Sequence, residues 1–264
     1  MSRSRIMNHR PALLLMVLGL LIAAPARAEE LIVSVSNYRV TVTSNYSGEE
    51  LVLFGSVERE GKALPRDSGY DMVVTVSGPR GDMVTRRKEP VLGIWVNRDS
   101  REFIKVPSYL GVFANRPIAE MATPDVQRRL QIGLANVPLI QRIGPDYADV
   151  VASDAFRTAF IRLRAQRGLY RETDDAVTFL TPTLFRTSIP LPAEVPIGTY
   201  MVDIKLLAGG QLAARTQTSF EVVKIGFEQF IATSAREYGL LYGLATALMA
   251  LAVGWLGSVV FRRD

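Results

Sequence analysis

The stretch VPIGTYMVDIKLLAGGQLAARTQTSFEVV, Val195 to Val223, decides the fold. It enters through Pro196-Ile-Gly-Thr-Tyr200, alternates apolar and polar residues to Leu207, turns at Gly209-Gly210 and returns from Thr216 to Val223. Alternation of period two places successive side chains on opposite faces of a strand. A two-glycine turn supplies the positive φ that tight hairpins require. The segment therefore reads as an immunoglobulin-like hairpin. Working outward, LIVSV (31–35), RVTVT (39–43), ELVLFG (50–55) with Val57, and DMVVTV (71–76) carry the same alternation. So do MVTRR (83–87), GIWV (93–96), EFIKV (102–106), Val177–Leu180 and Leu184–Leu191. NYSG (45–48) and GPRG (78–81) read as turns between them, and Trp95 is expected in the core. Short strands closed by regular turn signals predict β-sandwich architecture.

Helical patterns interrupt the strands after Pro107. Thr123-Pro-Asp125 offers an N-cap, a proline at the first helical position and an acid in the first turn, which predicts a helix to about Ala135. A second helix is expected from Ser153 to Gly168, with Phe156, Phe160 and Leu163 on one face. The β segments can form two sandwiches joined by a helical linker, or one sandwich with a helical insertion. The strands on either side of the insert favour two: an N-terminal β-sandwich domain at 29–107, a helical insert at 108–172 and a C-terminal immunoglobulin-like β domain at 173–226.

Both ends of the chain carry membrane signals. Residues 1–28 read as a signal peptide, with Arg3, Arg5 and Arg10, an apolar run from Leu13 to Ala24, and an A-x-A cleavage site at Ala26 and Ala28. GLLYGLATALMALAVGWLGSVVF, Gly239 to Phe261, holds no charge. At 1.5 Å per residue it reaches about 35 Å, enough to cross a hydrocarbon core of about 30 Å. Phe227, Phe230 and Ile231 suggest a juxtamembrane helix over 227–238. Arg262 and Arg263 place the tail 262–264 in the cytoplasm and the bulk of the chain on the outer side of the membrane. With Gly239 at 0° and about 100° per residue, Gly243, Ala247, Ala250, Gly254, Gly257 and Ser258 lie within about 100°. Leu241, Leu244, Leu248, Leu251, Trp255 and Val259 lie opposite them. A small-residue face lets helices pack closely, so these positions are the expected transmembrane packing face.

The net charge of +5 belongs to the ends. Residues 1–28 hold four Arg and no acid, and without them and the tail the body has 25 basic and 25 acidic residues. Nucleic acid is therefore not an expected partner. There is no Cys, and the one His, His9, lies within the signal peptide. A mature chain without His or Cys excludes Ser-His-Asp and Cys-His nucleophile systems, His-ligated zinc and haem ligated by His or Cys. No cofactor, metal ligand or catalytic residue is assigned. The acid pairs Glu49/Glu50, Glu58/Glu60 and Asp174/Asp175 read as surface charge. Gly78–Gly81 and Gly209-Gly210 match no phosphate loop and read as hairpin turns. Arg128/Arg129 and Arg157/Arg164/Arg167 can line an anion site, against the plainer reading of a solvated arginine face balanced by Asp146, Asp149 and Asp154.

LIVSVSN (31–37), GEELVLFG (48–55), GIWVN (93–97), PSY (107–109), NRP (115–117) and PIGTY (196–200), together with one C-terminal span, resemble the alphaproteobacterial putative transmembrane protein family. The resemblance implies an inner-membrane location, carries no catalytic signature, and suggests a sulfite-exporter-like permease as partner. The expected function is a non-enzymatic, membrane-anchored periplasmic module that supports or regulates an inner-membrane complex. Its expected partners are the lipid bilayer and either a membrane protein or a second copy. A periplasmic solute or anion sensor is the alternative, and a carboxylate-dependent hydrolase ranks last.

Overall fold

A computed structural model describes residues 29–59, 69–143, 146–151, 153–224, 226 and 235–260. The expected signal peptide with Ala26 and Ala28, the residues Phe227, Phe230 and Ile231, and the tail 262–264 lie outside the described residues. The strands are β1 (Glu29–Val35), β2 (Arg39–Val42), β3 (Gly48–Arg59), β4 (Asp71–Ser77), β5 (Arg80–Val91), β6 (Ile94–Pro107) and β7 (Leu110–Ala114), then β8 (Ile140–Ile143), β9 (Asp146–Asp149), β10 (Tyr170–Thr173), β11 (Val177–Phe179), β12 (Leu184–Pro192), β13 (Gly198–Ala208) and β14 (Gln211–Lys224). The helices are α1 (Ile118–Met121), α2 (Pro124–Leu130), α3 (Ala155–Gln166) and α4 (Gly239–Val260).

Three sheets carry the strands, in the orders β1-β3-β12-β11, β10-β7-β4-β13-β14-β2 and β5-β6-β8-β9. The first two share one core, to which Leu51, Leu53, Phe185 and Ile189 contribute from one sheet and Met72, Val74, Val202, Ile204 and Phe220 from the other. Alternation drives this packing: along β12, Phe185, Thr187, Ile189 and Leu191 are buried while their neighbours are half-buried or exposed.

The division at residues 107 and 173 into two sandwiches does not hold. β12 of the later segment pairs with β3 of the earlier one, as in Phe185 with Gly55, and β13 pairs with β4, as in Val202 with Val76. Neither segment has a complete sheet of its own, so neither buries a separate apolar face. GPRG (78–81) is also not a hairpin turn: Gly78 donates to the Tyr109 carbonyl at 2.9 Å and Ser108 to that of Pro79 at 2.9 Å, which hands the β4–β7 ladder directly to β5–β6. A Cβ at Gly78 would lie 3.0 Å from that of Tyr109, so the close approach of the two strands favours glycine.

Tyrosines fix the sandwich's end. Tyr200 stacks on Phe220 with ring centroids 5.0 Å apart. Its hydroxyl donates to the Pro196 carbonyl at 2.7 Å, and that of Tyr109 donates to the Pro190 carbonyl at 2.8 Å. The NRP segment acts at the opposite end of β4. Asn115 accepts from the Met72 amide at 2.6 Å, and Arg116 grips Asp71 through two donors, Nη2 lying 2.7 Å from Oδ2.

The insert is only partly helical. α2 begins at Pro124 as expected but ends at Leu130, where Gln131 adopts φ +53° and closes the helix. α3 starts at Ala155, two residues later than expected, because Asp154 caps it by accepting from the Phe156 and Arg157 amides at 2.8 and 3.0 Å. Phe160 of α3 packs against Phe103 and Tyr170, centroids 5.0 and 5.7 Å away, and so seats the insert on the root of β5–β6.

Gly55 offers a direct test of the shared core. A Cβ there would lie 2.3 Å from the Phe185 ring and 2.8 Å from the Ile32 carbonyl oxygen. Gly55→Ala should destabilise the body by about 1–3 kcal/mol through overpacking. Urea unfolding should show a lower midpoint in one transition that includes both segments.

Candidate functional site: a polar cleft on the central sheet

The face of the central sheet turned away from the core carries an ordered row of polar groups. Strand pairing places Thr75 opposite Asp203 and Asp203 opposite Gln217, with Lys205 and Arg215 paired one step along. Asp203 is the hub. Arg215 Nε donates to Oδ1 at 2.7 Å and Nη2 to Oδ2 at 3.1 Å; Gln217 Nε2 donates to Oδ1 at 3.2 Å, and Lys205 Nζ pairs with Oδ2. Burial pushes the Asp203 carboxyl up, but donation from Arg215 and Lys205 outweighs it and holds the group below the usual carboxylate range.

These residues floor an open cleft of about 540 Å³, which Arg80, Arg129 and Gln131 help to line. Its charged lining is four cations, Arg80, Arg129, Lys205 and Arg215, against the single carboxylate of Asp203. Thr75 is 9% exposed, and its buried hydroxyl has no hydrogen-bond partner. It also lines a smaller cavity of about 50 Å³ beside Gln131 and Val137. A buried hydroxyl without a partner is costly, so a bound polar group in the cleft would stabilise the site. Chemically, Lys205, Arg215 and Thr75 can donate to a small anion, with Asp203 keeping the cations oriented.

Sequence reasoning missed the row because of one irregularity. Counting back from Gly209-Gly210 pairs Lys205 with Ala214. The register shift at Leu206/Leu207 instead pairs it with Arg215, moving Arg215 and Gln217 onto the polar face. The visible signal was Asp203 and Lys205 at alternate positions of β13.

The arginines singled out from sequence are not brought together. Arg157 is buried, not solvated. It donates to the carbonyls of Val150, Ala135 and Val137 at 3.2, 2.9 and 2.7 Å and lies 3.6 Å from Asp149. Arg164 donates to the Ser108 carbonyl and sits over the Tyr170 ring, where burial lowers its pKa. Arg128 pairs with Asp125, and Arg129 alone of the set lines the cleft. Among the acid pairs, Glu50, Glu58, Asp174 and Asp175 are exposed and Glu49 is half-buried, while Glu60 lies outside the described residues. No group of three or more metal-ligating side chains occurs among the described residues.

The second sequence-derived site lies on α4. Gly239, Gly243, Ala247, Ala250, Gly254, Gly257 and Ser258 all fall on this helix, and the apolar window Gly239–Ser258, of mean hydropathy 1.8, is uncovered by the body. A Cβ at Gly239, Gly243, Gly254 or Gly257 meets no atom of this chain within 4 Å. Trp95, expected in the core, is 67% exposed near the tip of the β5–β6 hairpin. An alternating apolar strand looks the same in sequence whether or not a layer covers it.

The depressed Asp203 pKa gives a pH prediction. Its folded pKa lies below the unfolded value, so its stabilisation is complete above about pH 5 and disappears as pH falls through the folded pKa. Asp203→Asn should lower the melting temperature at pH 7 and flatten its fall between pH 5 and 3. Melting curves across that range provide the check.

No curated protein matches the sequence. Among solved structures, the N-terminal domain of the Streptococcus gordonii adhesin Sgo0707 aligns with TM-score 0.28 and 8% identity, over 73% of this chain and 32% of that one. The chain thus spans about a third of that domain. AggA, the major subunit of aggregative adherence fimbriae type I from Escherichia coli, aligns with TM-score 0.24 and 9% identity, over 75% of this chain and 95% of that one. At these scores neither likeness carries an argument. The family comparison covers nearly the whole sequence: residues 30–263 match the family described as "Putative transmembrane protein (Alph_Pro_TM)", and the chain belongs to that family.

Proposed function

We propose that this chain is a membrane-anchored periplasmic module that supports or regulates an inner-membrane complex by binding rather than catalysis. The observation that carries this reading is α4, an apolar helix long enough to cross a bilayer and left bare by its own body. Its small-residue stripe offers a neighbouring helix close approach. A membrane-embedded transporter, of the sulfite-exporter-like kind implied by the resemblance, or a second copy is the proposed partner. The Tyr200-to-Pro196 hydrogen bond at the start of a sandwich strand resembles a tyrosine corner and supports reading the body as immunoglobulin-like. Arg262 and Arg263 favour a cytoplasmic tail.

Crosslinking in native membranes, followed by mild detergent extraction, should recover a membrane protein or a dimer. Because position 243 is open within the chain, Gly243→Leu affects association only through a partner. It should reduce recovery at least several-fold, as should Gly254→Leu. A wild type recovered alone and monomeric contradicts the proposal.

A second reading, a periplasmic anion sensor, rests on the cationic cleft and the unpartnered Thr75 hydroxyl. Sulfate, sulfite or phosphate at about 100 times Kd should stabilise the detergent-solubilised chain by about 2.7 kcal/mol. Lys205→Met should remove that gain in thermal-shift measurements. No shift with any of the three ions counts against this reading.

A further inference from the structure

Among the described residues, the outer half of the β5–β6 hairpin is an arm with no layer over it. From Arg86 to Val91 and from Ile94 to Ser100 almost every residue is exposed on both faces. An isolated two-stranded ribbon is marginally stable in water, and apolar residues at its end make it an unfavourable one. The tip carries Val91, Leu92, Ile94, Trp95 and Val96, with Leu92 98% exposed. The two-residue turn holds Leu92 at φ +50° and Gly93 at φ +83°. The first position of such a turn suits Asn, Asp or Gly; a bulky leucine in the left-handed region is strained. The sequence thus places its most exposed apolar side chain where the backbone disfavours it.

Charge begins where the apolar tip stops. Pairing runs Val91 with Ile94, Pro90 with Trp95, Glu89 with Val96 and Lys88 with Asn97. At about 3.3 Å per residue the apolar section is roughly 10 Å deep, close to the depth reached by interfacial segments. Behind it stand Arg86, Arg87, Lys88 and Arg98 against Glu89 and Asp99, a net charge of +2. Arg87 lies 2.9 Å from Glu89 and 2.6 Å from Asp99, and Arg98 lies 3.5 Å from Glu89, so both acids are already paired. Arg86 and Lys88 carry the excess.

The arm leaves the body at the end where the chain departs from β14 toward α4. β4 and β14 both run toward the Gly198 end of β13, since Ser77 pairs with Met201 and Val222 with Gly198. Pro79, at the arm's root, lies 3.0 Å from where a Gly198 Cβ would stand. From Lys224 to Gly239 the chain covers at most about 50 Å, so α4 is tethered to the same end of the sheet as the arm's root.

We propose that the β5–β6 tip inserts into the surface of an anionic bilayer, with Leu92, Ile94 and Trp95 in the interface and Arg86 and Lys88 at the phosphates. Tryptophan favours the interfacial zone, and basic residues strengthen contact with anionic lipid. Together with α4 the tip gives the body a second point of attachment, which fixes its orientation over a membrane partner. The inference rests on reading α4 as a membrane span.

The chain holds two tryptophans, Trp95 and Trp255, so each can be watched alone. The full chain is reconstituted in vesicles of phosphatidylcholine with or without phosphatidylglycerol, using brominated lipids as quenchers. In a Trp255→Phe background, Trp95 should be quenched by shallow bromines, at least two-fold more with the anionic lipid. Leu92→Asn should reduce that quenching while leaving the melting temperature equal or higher, because it relieves the turn. Lys88→Gln with Arg86→Gln should remove the lipid-charge dependence. Trp95 quenched only by aqueous acrylamide overturns the proposal, as does a Trp95 shielded from both quenchers in a tip-to-tip crosslinked dimer. In a Trp95→Phe background, deep bromines should quench Trp255; if they do not, the span reading fails. If they do and Trp95 is not quenched, only the arm inference fails.

Discussion

The body depends on strand pairs that join distant parts of the chain. β12 closes on β3 and β13 closes on β4, across more than a hundred residues, before either face of the sandwich is covered. Each closure must overcome the entropy of a long loop, and only the combined sheets bury Phe185, Val202 and Ile204. Such topology favours slow, cooperative folding over independent domains. It also makes the insert structural: Arg157, satisfied by three carbonyls, and Asp154, capping α3, hold together the segment from which β7 and β10 join the central sheet.

From that frame come two surfaces with different chemistry. The polar face of the central sheet gathers Thr75, Asp203, Lys205, Arg215 and Gln217, charges that would be unstable there without the Asp203 hub. The β5–β6 arm continues the β4–β7 ladder beyond the core, where its side chains find no second layer. The arm follows from Gly78 and Pro79, which let a core strand leave the sandwich without turning back, and the polar row follows from the β4–β13–β14 register.

Local features were legible in the sequence. The hairpin Val195–Val223 with its Gly209-Gly210 turn, the start of α2 at Pro124 and the span of α4 were all readable from periodicity and breakers. What sequence left open was partner choice between strands, because alternation shows which face is apolar and not which strand lies alongside. The same limit hid the exposure of Trp95 and the continuity through Gly78–Gly81. The cleft was hidden by the register shift at Leu206/Leu207, an irregularity with no signature in residue type. For α4 the legible property was the small-residue face itself.

The proposed topology holds the β body outside the cytoplasmic membrane by one C-terminal span. The absence of Cys from the chain makes single engineered cysteines unambiguous reporters. Gln211→Cys, exposed on the body, and Asp264→Cys, at the tail, can be probed in intact spheroplasts with a membrane-impermeant maleimide. The account predicts labelling of position 211 in intact cells and of position 264 only after lysis. Labelling of 264 from outside, or of 211 only after lysis, would contradict it.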